Sequence, residues 1–451
     1  MNYKIFTLFM FFITINLLPQ EMRISVEGTT PRKTASLFLI QGEKSVFVDS
    51  IYPLTTGDYA YHFNNNKHEI GFYRLQFDHR KFVNIVYDNE PIKALINIDK
   101  LPEGVTITES ESNKFYHRFI KLNKDFKTKT DILNYVLVKY PEKENYYQIT
   151  LSETDKLKKE YQQFINEVGT TVPKSLISRY IKSAQLPIVD YTLPIDKQLK
   201  HLKEHLLDKI DFQDYTLTNT DVYANKAIEY LMLYSNPQLP KELLEKEFMS
   251  AVDSILNRSR KSEVVYKHLV EYLIDGFRKF GFDLIIDYIV SNYVIEDDIC
   301  LDAQLETSIE RRINQSKHLK IGNKAPELTL PDKTGKEVKL SSIKTDKTVL
   351  VFYSTTCPHC KEVLPKLSEL YKGLKNTEII AISMDEKKTE WEKYIKENKF
   401  SWKDVHELKG WGGKSVEDYY IYATPSMFVL DKEKRIIAKP ISVEEVRGMV
   451  E

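Results

Sequence analysis

The sequence predicts a multidomain chain in which an all-β part, an α-helical part and an α/β part follow one another. Short alternating apolar runs between turn residues fill residues 21–110, and apolar residues at helical spacing fill residues 111–316. Strands alternate with helices in residues 317–451, which is typical of an α/β fold. With 451 residues, 42% of them hydrophobic, the chain is long enough to bury about three separate cores.

Residues 1–20 have the pattern of a signal peptide. Lys4 supplies the positive charge, and Ile5 to Leu18 form an apolar run that is short for a membrane span. We therefore expect an exported chain, with an uncleaved amino-terminal anchor as the alternative. No cleavage site is evident near Pro19, and no cysteine follows the apolar run, which argues against a lipoprotein. Export would place the chain in a compartment where disulfides can form.

Residues 21–110 predict a small antiparallel β-sandwich or β-barrel of unknown function. Five short strands are expected, separated by turn residues such as Asn64–Asn66. The histidines of this part lack the spacing of metal ligands, so we predict that they lie on the surface: His62, His68 and His79. The predicted strands begin at Ala35, Ser45, Ile70, Lys81 and Ile92.

Residues 111–316 predict an α-helical domain. Apolar side chains recur every three or four residues, and breaks are expected at Asn236-Pro237 and between Gly276 and Gly281. The many lysines and glutamates are interpreted as solvated helix faces, and the tyrosines as core rather than as a cofactor site. Cys300 is interpreted as a small buried residue. The formal charge is balanced, with 65 basic and 65 acidic residues, which argues against a nucleic-acid partner.

The chemistry is concentrated where a buried strand meets a helix. Thr348 to Phe352 form a β-branched apolar run, and Cys357 follows where the helix should begin. At a helix start the free backbone N–H groups and the helix dipole favour a thiolate. Cys360 lies one turn further on, where it could attack a disulfide formed at Cys357. The Cys-x-x-Cys spacing therefore predicts thiol–disulfide exchange.

Three other interpretations of the pair compete with thiol–disulfide exchange. A structural zinc site needs about four ligands, and the only further cysteine is Cys300, so we predict no metal. An inert disulfide would close too small a loop to stabilise the chain much. A thiol peroxidase would carry Pro seven residues and Thr three residues before the first cysteine, where this chain has Leu350 and Ser354.

Four motifs in order make residues 317–451 resemble the TlpA/ResA-like class of thioredoxin-fold proteins. They are Ile321 to Leu330 with Asp332 to Leu340, the Cys357–Cys360 pair, Pro365 in the following helix, and Ala423 to Asp431. The resemblance implies a thiol–disulfide oxidoreductase with no cofactor beyond a Cys357–Cys360 disulfide. It also implies that the peptide bond between Thr424 and Pro425 is cis and that both residues contact the substrate.

The resemblance extends to location and partners. Residues 21–110 resemble the β-domain that precedes thioredoxin domains in exported Gram-negative proteins, so we expect a location in the periplasm or cell envelope. The expected partners are protein thiols and disulfides, with a membrane electron donor or acceptor as a further candidate. A binding or scaffold protein whose thioredoxin-like domain merely docks partners is the alternative function.

Two departures from the family leave the proton acceptor of Cys360 unidentified. Thioredoxins carry a buried Asp six residues before the first cysteine, and this chain has Val351 there. Reducing members of the class often carry Glu three residues after the second cysteine, where this chain has Val363. The neighbouring Glu362 would point about 100° away around the helix.

The dipeptide between the cysteines leaves the direction of electron flow open. Pro358 and His359 match the dipeptide of strongly oxidising disulfide-forming enzymes, whereas the surrounding segments resemble reductases. We expect both residues to tune the pair, and His359 in particular to favour the Cys357 thiolate and so a more oxidising disulfide.

Overall fold

The computed structural model describes residues 20–28, 33–64, 66–78, 80–295, 297 and 307–451. The predicted signal peptide up to residue 19, His79 and Cys300 lie outside these residues. The chain divides into two compact units, Met1–Phe280 and Gly281–Glu451. In the described part, no helix combines the length and the apolar character that a membrane span requires.

The first unit begins with eight described strands in two four-stranded sheets, which share one core of buried side chains. The sheet orders are β4-β1-β7-β8 and β3-β2-β5-β6. The strands are β1 (Gln20–Glu27), β2 (Ala35–Gln41), β3 (Lys44–Ile51), β4 (Tyr59–Phe63), β5 (Gly71–Gln76), β6 (Phe82–Tyr87), β7 (Ile92–Asn97) and β8 (Val105–Glu109).

The prediction of a β-rich part is confirmed in part. The prediction that all strands pair antiparallel is wrong for β1 and β7. These two strands are parallel, and their first paired residues are Met22 and Ile92. Parallel pairing becomes possible because the chain between these two strands first forms β2 to β6, which supplies the long connection that it requires. Strands β1, β4 and β8 were not predicted.

Seven helices of the first unit follow the sheets among the described residues. Ser110 caps α1 by accepting a hydrogen bond from Asn113 N, as capping serines do. The buried Asn113 side chain exchanges two 2.8 Å hydrogen bonds with the backbone of Val86 in β6, which ties the helix to the sheet. The helices are α1 (Glu111–Lys139), α2 (Asn145–Thr171), α3 (Leu176–Ala184), α4 (Ile195–His205), α5 (Val222–Met232), α6 (Lys241–Ser259) and α7 (Glu263–Lys279).

The predicted break at Asn236-Pro237 agrees with these bounds, because Asn236 lies between α5 and α6. The break predicted between Gly276 and Gly281 agrees only in part, because Gly276 lies inside α7 and Gly281 follows its end. Tyr223 and Tyr230 are buried, as core residues should be. His62 is exposed, and His68 lies partly buried, 2.8 Å from the hydroxyl of Tyr61. Among the described residues, the prediction of surface histidines therefore holds for His62 and only in part for His68.

The second unit begins with α8 (Asp283–Ile289), a π-helical turn (Val290–Ile295) and α9 (Thr307–His318). These belonged to the predicted helical part, whose boundary was placed at residue 317. The division of the chain into a signal peptide and three domains at residues 20, 110 and 316 remains a prediction. A hairpin follows, formed by β9 (Thr329–Pro331) and β10 (Glu337–Lys339), within the first motif of the family resemblance.

A five-stranded sheet of order β13-β12-β11-β14-β15 carries the rest of this unit. Strands β11, β12 and β13 are parallel, and β14 and β15 are antiparallel to their neighbours. This is a thioredoxin-like arrangement. The elements are β11 (Lys347–Tyr353), α10 (Pro358–Gly373), β12 (Thr377–Ser383), α11 (Lys388–Asn398), β13 (Lys403–His406), α12 (Lys414–Asp418), β14 (Ser426–Leu430), β15 (Ile436–Ala438) and α13 (Val443–Val450).

Alternation along β11 separates two buried clusters, one on each face of the sheet. Leu350 and Phe352 face one cluster, and Val349, Val351 and Tyr353 face the other. Cys360 belongs to the second cluster. The chain turns from the carboxyl end of β11 into α10, so the cysteine pair lies at the sheet edge where open α/β folds place their sites.

Candidate active site

Cys357 is the N-cap residue of α10, as the sequence predicted, and Pro358 occupies the first helical position. Pro is well suited to that position because its missing N–H would be unpaired there in any case.

Cys357 is half-buried, Pro358 and His359 are exposed, and Cys360 is buried with no accessible surface. Cys357 and Cys360 are free thiols, so the described site is in its reduced form. The outer sulfur is accessible and the inner one is shielded.

The environment of Cys357 favours its thiolate. Burial raises the pKa of this thiol, but hydrogen bonds involving the Thr424 side chain, Cys360 and the backbone N–H groups of His359 and Cys360 lower it. The hydrogen bonds lower the pKa by more than burial raises it, so the pKa of Cys357 lies below its ordinary value. These N–H groups are those left free at the start of a helix. Cys357 is therefore suited to be the nucleophile.

The environment of Cys360 has the opposite effect. Burial raises the pKa of Cys360 to about 12, and its interaction with Cys357 adds to the increase, while a backbone hydrogen bond from Ser354 opposes it. A thiol of this kind keeps its proton at neutral pH. Cys360 must therefore lose that proton before it can attack a sulfur.

Thr424 and Pro425 lie beside the pair. The peptide bond between them is cis, which confirms the expectation from the family resemblance. The Cys357 thiol donates a hydrogen bond to the Thr424 carbonyl oxygen at 3.2 Å. The structure thus brings together Cys357, Cys360 and Thr424, while the contact of Thr424 and Pro425 with a substrate remains a prediction.

Asp385, which sequence analysis did not single out, organises the loop before Cys357. Its carboxylate accepts hydrogen bonds from the backbone N–H and hydroxyl of Thr355, at 3.0 and 2.8 Å, and from the hydroxyl of Ser354 at 3.1 Å. The hydroxyl of Ser383 donates a further bond at 2.7 Å. Because the carboxylate is buried and satisfied by these donors, it fixes the turn that presents Cys357.

A second polar cluster supports the segment that precedes Thr424. The hydroxyl of Tyr422 lies 3.0 Å from both carboxylate oxygens of Asp287 in α8. The guanidinium of Arg312 in α9 stacks 4.1 Å above the Tyr422 ring and donates to Asp287 at 2.7 Å. Gln315 donates to the backbone oxygen of Tyr419 at 3.1 Å. Helices α8 and α9 thus hold the chain that leads to the Thr424–Pro425 peptide.

Comparison with known proteins adds the family. Residues 321–439 match the AhpC/TSA family. The chain is 26% identical over 137 residues to the thiol-disulfide oxidoreductase ResA of Bacillus cereus, which spans 30% of this chain and 74% of that protein. It is 27% identical over 132 residues to ResA of Bacillus thuringiensis, spanning 29% and 71%.

Solved structures resemble the same region. A domain of a possible thiol-disulfide isomerase from Cytophaga hutchinsonii is 36% identical, covering 29% of this chain and 90% of that one with a TM-score of 0.27. The thioredoxin domain of a thiol-disulfide oxidoreductase from Bacteroides vulgatus is 28% identical, covering 30% and 99% with a TM-score of 0.28. The family match at residues 321–439 and the ResA relatives support a TlpA/ResA-like protein with an AhpC/TSA domain in its C-terminal region.

Proposed function

We propose that this protein exchanges disulfides with other proteins through the Cys357–Cys360 pair. Thiol–disulfide oxidoreductase is the enzyme class of its named relatives. The observation that carries the proposal is the contrast between the two sulfurs. Cys357 is accessible with a lowered pKa, and Cys360 is buried with a pKa raised to about 12. An attacking thiol and a resolving thiol need this division of properties.

The proposed reaction passes through a mixed disulfide. In the reducing direction the Cys357 thiolate attacks one sulfur of a client disulfide, and the other client sulfur leaves as a thiolate. Cys360 then loses its proton and attacks the Cys357 sulfur, which forms the Cys357–Cys360 disulfide and releases the second client thiolate. The pair is oxidised by two electrons and the client is reduced by two. The oxidising direction is the reverse.

Several features support a protein rather than a small molecule as the substrate. Cys357 sits at the surface between an exposed Pro358 and the Thr424 backbone, where an extended client segment can lie alongside it. A cavity of about 500 Å³ elsewhere in the second unit, lined by Lys324 and Lys434 among other residues, includes neither cysteine. Thr424 and Pro425 would contact the client, and Pro358 and His359 would tune the pair.

Location in the cell envelope is part of the proposal. Its support is the signal-like sequence before Gln20, since an oxidising compartment offers the disulfides that the pair would exchange with. A membrane electron donor or acceptor would then return the pair to its starting state after each cycle.

Trapping of clients tests the proposal directly. In the Cys360→Ser variant the mixed disulfide has no resolving thiol, so clients should accumulate on Cys357 and appear as adducts on non-reducing gels. Cys357→Ser should trap none and should not reduce insulin. Cys300→Ser serves as the matched control, because it removes the third cysteine and should leave insulin reduction unchanged.

Three results would overturn the proposal. Equal trapping by both site variants would mean that the roles of the cysteines are wrong. Absence of insulin reduction and of disulfide reshuffling by the unaltered chain would favour the scaffold function. Rapid consumption of hydrogen peroxide that depends on Cys357 alone would favour a thiol peroxidase.

A further inference from the structure

The second half of the reaction needs a base, because Cys360 holds its proton. The positions from which related proteins supply a carboxylate carry Val351 and Val363 in this chain. Glu362 is exposed, whereas Cys360 is fully buried, and two residues along a helix point about 200° apart. The acceptor must therefore be sought on another element that faces the buried side of the pair.

Strand register brings one carboxylate to that side of the sheet. Val351 in β11 pairs with Ala381 in β12, and Ala381 pairs with Asp404 in β13. Side chains in register across a sheet point to the same face, so Asp404 faces the side of Val351 and Cys360, roughly 10 Å from Val351 along the sheet. Trp402, two residues before Asp404, belongs to the same buried cluster as Cys360. Strand β11 has Val351 where thioredoxins carry a buried Asp, but Asp404 provides a carboxylate on the same face of the sheet, two strands away.

Hydrogen bonds fix Asp404 on this face. The hydroxyl of Tyr353 donates to Asp404 Oδ1 at 3.3 Å, and Trp402 Nε1 donates to the same oxygen at 3.1 Å. Trp391 Nε1 in turn donates to the Tyr353 hydroxyl at 3.0 Å. Within the described ranges no donor bonds to Asp404 Oδ2, so this oxygen remains available to take up a proton.

The electrostatic surroundings suit a base that works near neutral pH. Burial raises the pKa of Asp404 to about 6. Hydrogen bonds from Trp402 and Tyr353 and the positive charge of Lys333 lower this pKa, but by less than burial raises it. Tyr394 of α11, whose ring packs 6.3 Å from that of Tyr353, has its pKa raised by burial and by the charges of Cys360, Asp385 and Asp404. Tyr394 therefore lies within electrostatic range of both the donor and the acceptor.

The other ionisable groups on this face fit the role less well. Asp385 accepts hydrogen bonds from four donors, and its carboxylate is thereby committed to holding the loop before Cys357. His406, two residues beyond Asp404 on β13, packs 4.4 Å from Trp391, and its buried Nδ1 has no partner among the described residues. His406 is therefore the strongest competitor and is included in the test.

We propose that Asp404 accepts the proton that Cys360 releases when it resolves a mixed disulfide, and that Tyr353 holds the carboxylate in place for this transfer. As the Cys360 proton moves to Asp404, the Cys360 electron pair forms the bond to Cys357 sulfur, and the bond from Cys357 to the client sulfur breaks with release of the client thiolate. In the reverse reaction Asp404 returns the proton to Cys360. This inference rests on the proposed function.

The two steps can be followed separately with Ellman's disulfide. In the Cys300→Ser background, which removes the third cysteine, attack by Cys357 on this reagent releases a first coloured thiolate, and resolution by Cys360 releases a second. Stopped-flow absorbance therefore gives both rates in one trace. Asp404→Asn should leave the first rate unchanged and slow the second about 10²- to 10⁴-fold at neutral pH, the range in which general acid–base catalysis contributes. The second rate of the unaltered chain should rise with pH around the pKa of Asp404 and then level. In the variant it should lack this rise and should increase only at higher pH.

Matched variants separate proton transfer from structure. Glu362→Gln removes an exposed carboxylate near the pair and should change neither rate. Tyr353→Phe should slow the second step less than Asp404→Asn and keep the rise near the Asp404 pKa, because the carboxylate remains. The inference is wrong if Asp404→Asn keeps the pH profile of the second step, or if His406→Gln removes that profile and Asp404→Asn does not. Loss of the first release would instead count against the proposed role of Cys357.

Discussion

Replacing Asp404 by asparagine should stabilise the second unit at neutral pH, although it removes a carboxylate from the site. Burial raises the pKa of this group from 3.8 to about 6, so the folded chain resists its ionisation. Each pKa unit corresponds to about 1.4 kcal/mol, so ionised Asp404 costs the folded state about 3 kcal/mol. Asparagine has nearly the same shape and carries no charge. The expected gain at neutral pH is therefore up to about 3 kcal/mol.

The sign of the pH dependence follows from proton linkage. Between the unfolded value of 3.8 and the folded value of about 6, the folded chain binds more protons at Asp404 than the unfolded chain does. The contribution of this group to stability therefore falls as the pH rises through that window, and the whole cost is present above it. Asp404→Asn should match the unaltered chain near pH ~4 and exceed it most at pH ~7.

Tryptophan fluorescence measures this on the full chain, because the three tryptophans all lie in the second unit: Trp391, Trp402 and Trp411. Urea unfolding at several pH values gives the free energy of unfolding of that unit for the variant and for the unaltered chain. Glu362→Gln is the control, since it removes an exposed carboxylate. A difference independent of pH, or a variant less stable at neutral pH, would refute the reasoning.

The remaining predictions concern the loop, the supporting cluster and the dipeptide. Asp385→Asn should destabilise the second unit by about 1–3 kcal/mol, because a buried donor loses its acceptor; unchanged urea unfolding would contradict this. Tyr422→Phe should cost a similar free energy, because Asp287 loses the hydroxyl that lies 3.0 Å from both its oxygens; a variant that unfolds at the original urea concentration would show the bond to be unimportant. His359→Leu should raise the pKa of Cys357 and lower the reduction potential, measured by thiolate absorbance and glutathione titration; identical titration curves would make His359 a mere spacer.

The sequence predicted the parts of the site that local chemistry determines. The start of a strand or helix depends mainly on nearby residues. The β-branched run therefore predicts a strand, and the two cysteines one turn apart can be placed at the start of the helix that follows it. Cys357 as the N-cap residue and the cis peptide at Thr424–Pro425 agree with the structure. The expectation for Thr424 and Pro425 came from the family resemblance. No local sequence pattern predicts that Thr424 lies beside Cys357, because the two residues are 67 positions apart.

The sequence did not reveal the parts that depend on pairing between distant segments. Strand β13 was missed although Trp402, Asp404 and His406 alternate with Lys403 and Val405, the period of a strand with two different faces. With that strand predicted, Asp404 would have been a candidate acid.

Long-range packing explains the other differences. The parallel pairing of β1 with β7 requires a connection through the other sheet, which residue patterns do not encode. The grouping of α8 and α9 with the second unit involves polar contacts such as that of Tyr422 with Asp287, which joins residues 135 positions apart in the sequence.

The central claim is that Cys357 and Cys360 form a reversible redox pair, and a redox titration of the full chain tests it most directly. The chain is equilibrated with glutathione buffers of graded potential, and free Cys357 and Cys360 thiols are counted by alkylation and mass spectrometry. The account predicts one two-electron transition in which both thiols disappear together, at a potential between about −120 and −270 mV, the range from strong oxidants to thioredoxin-like reductants. A pair that stays reduced throughout, or the loss of one thiol without the other, would contradict it.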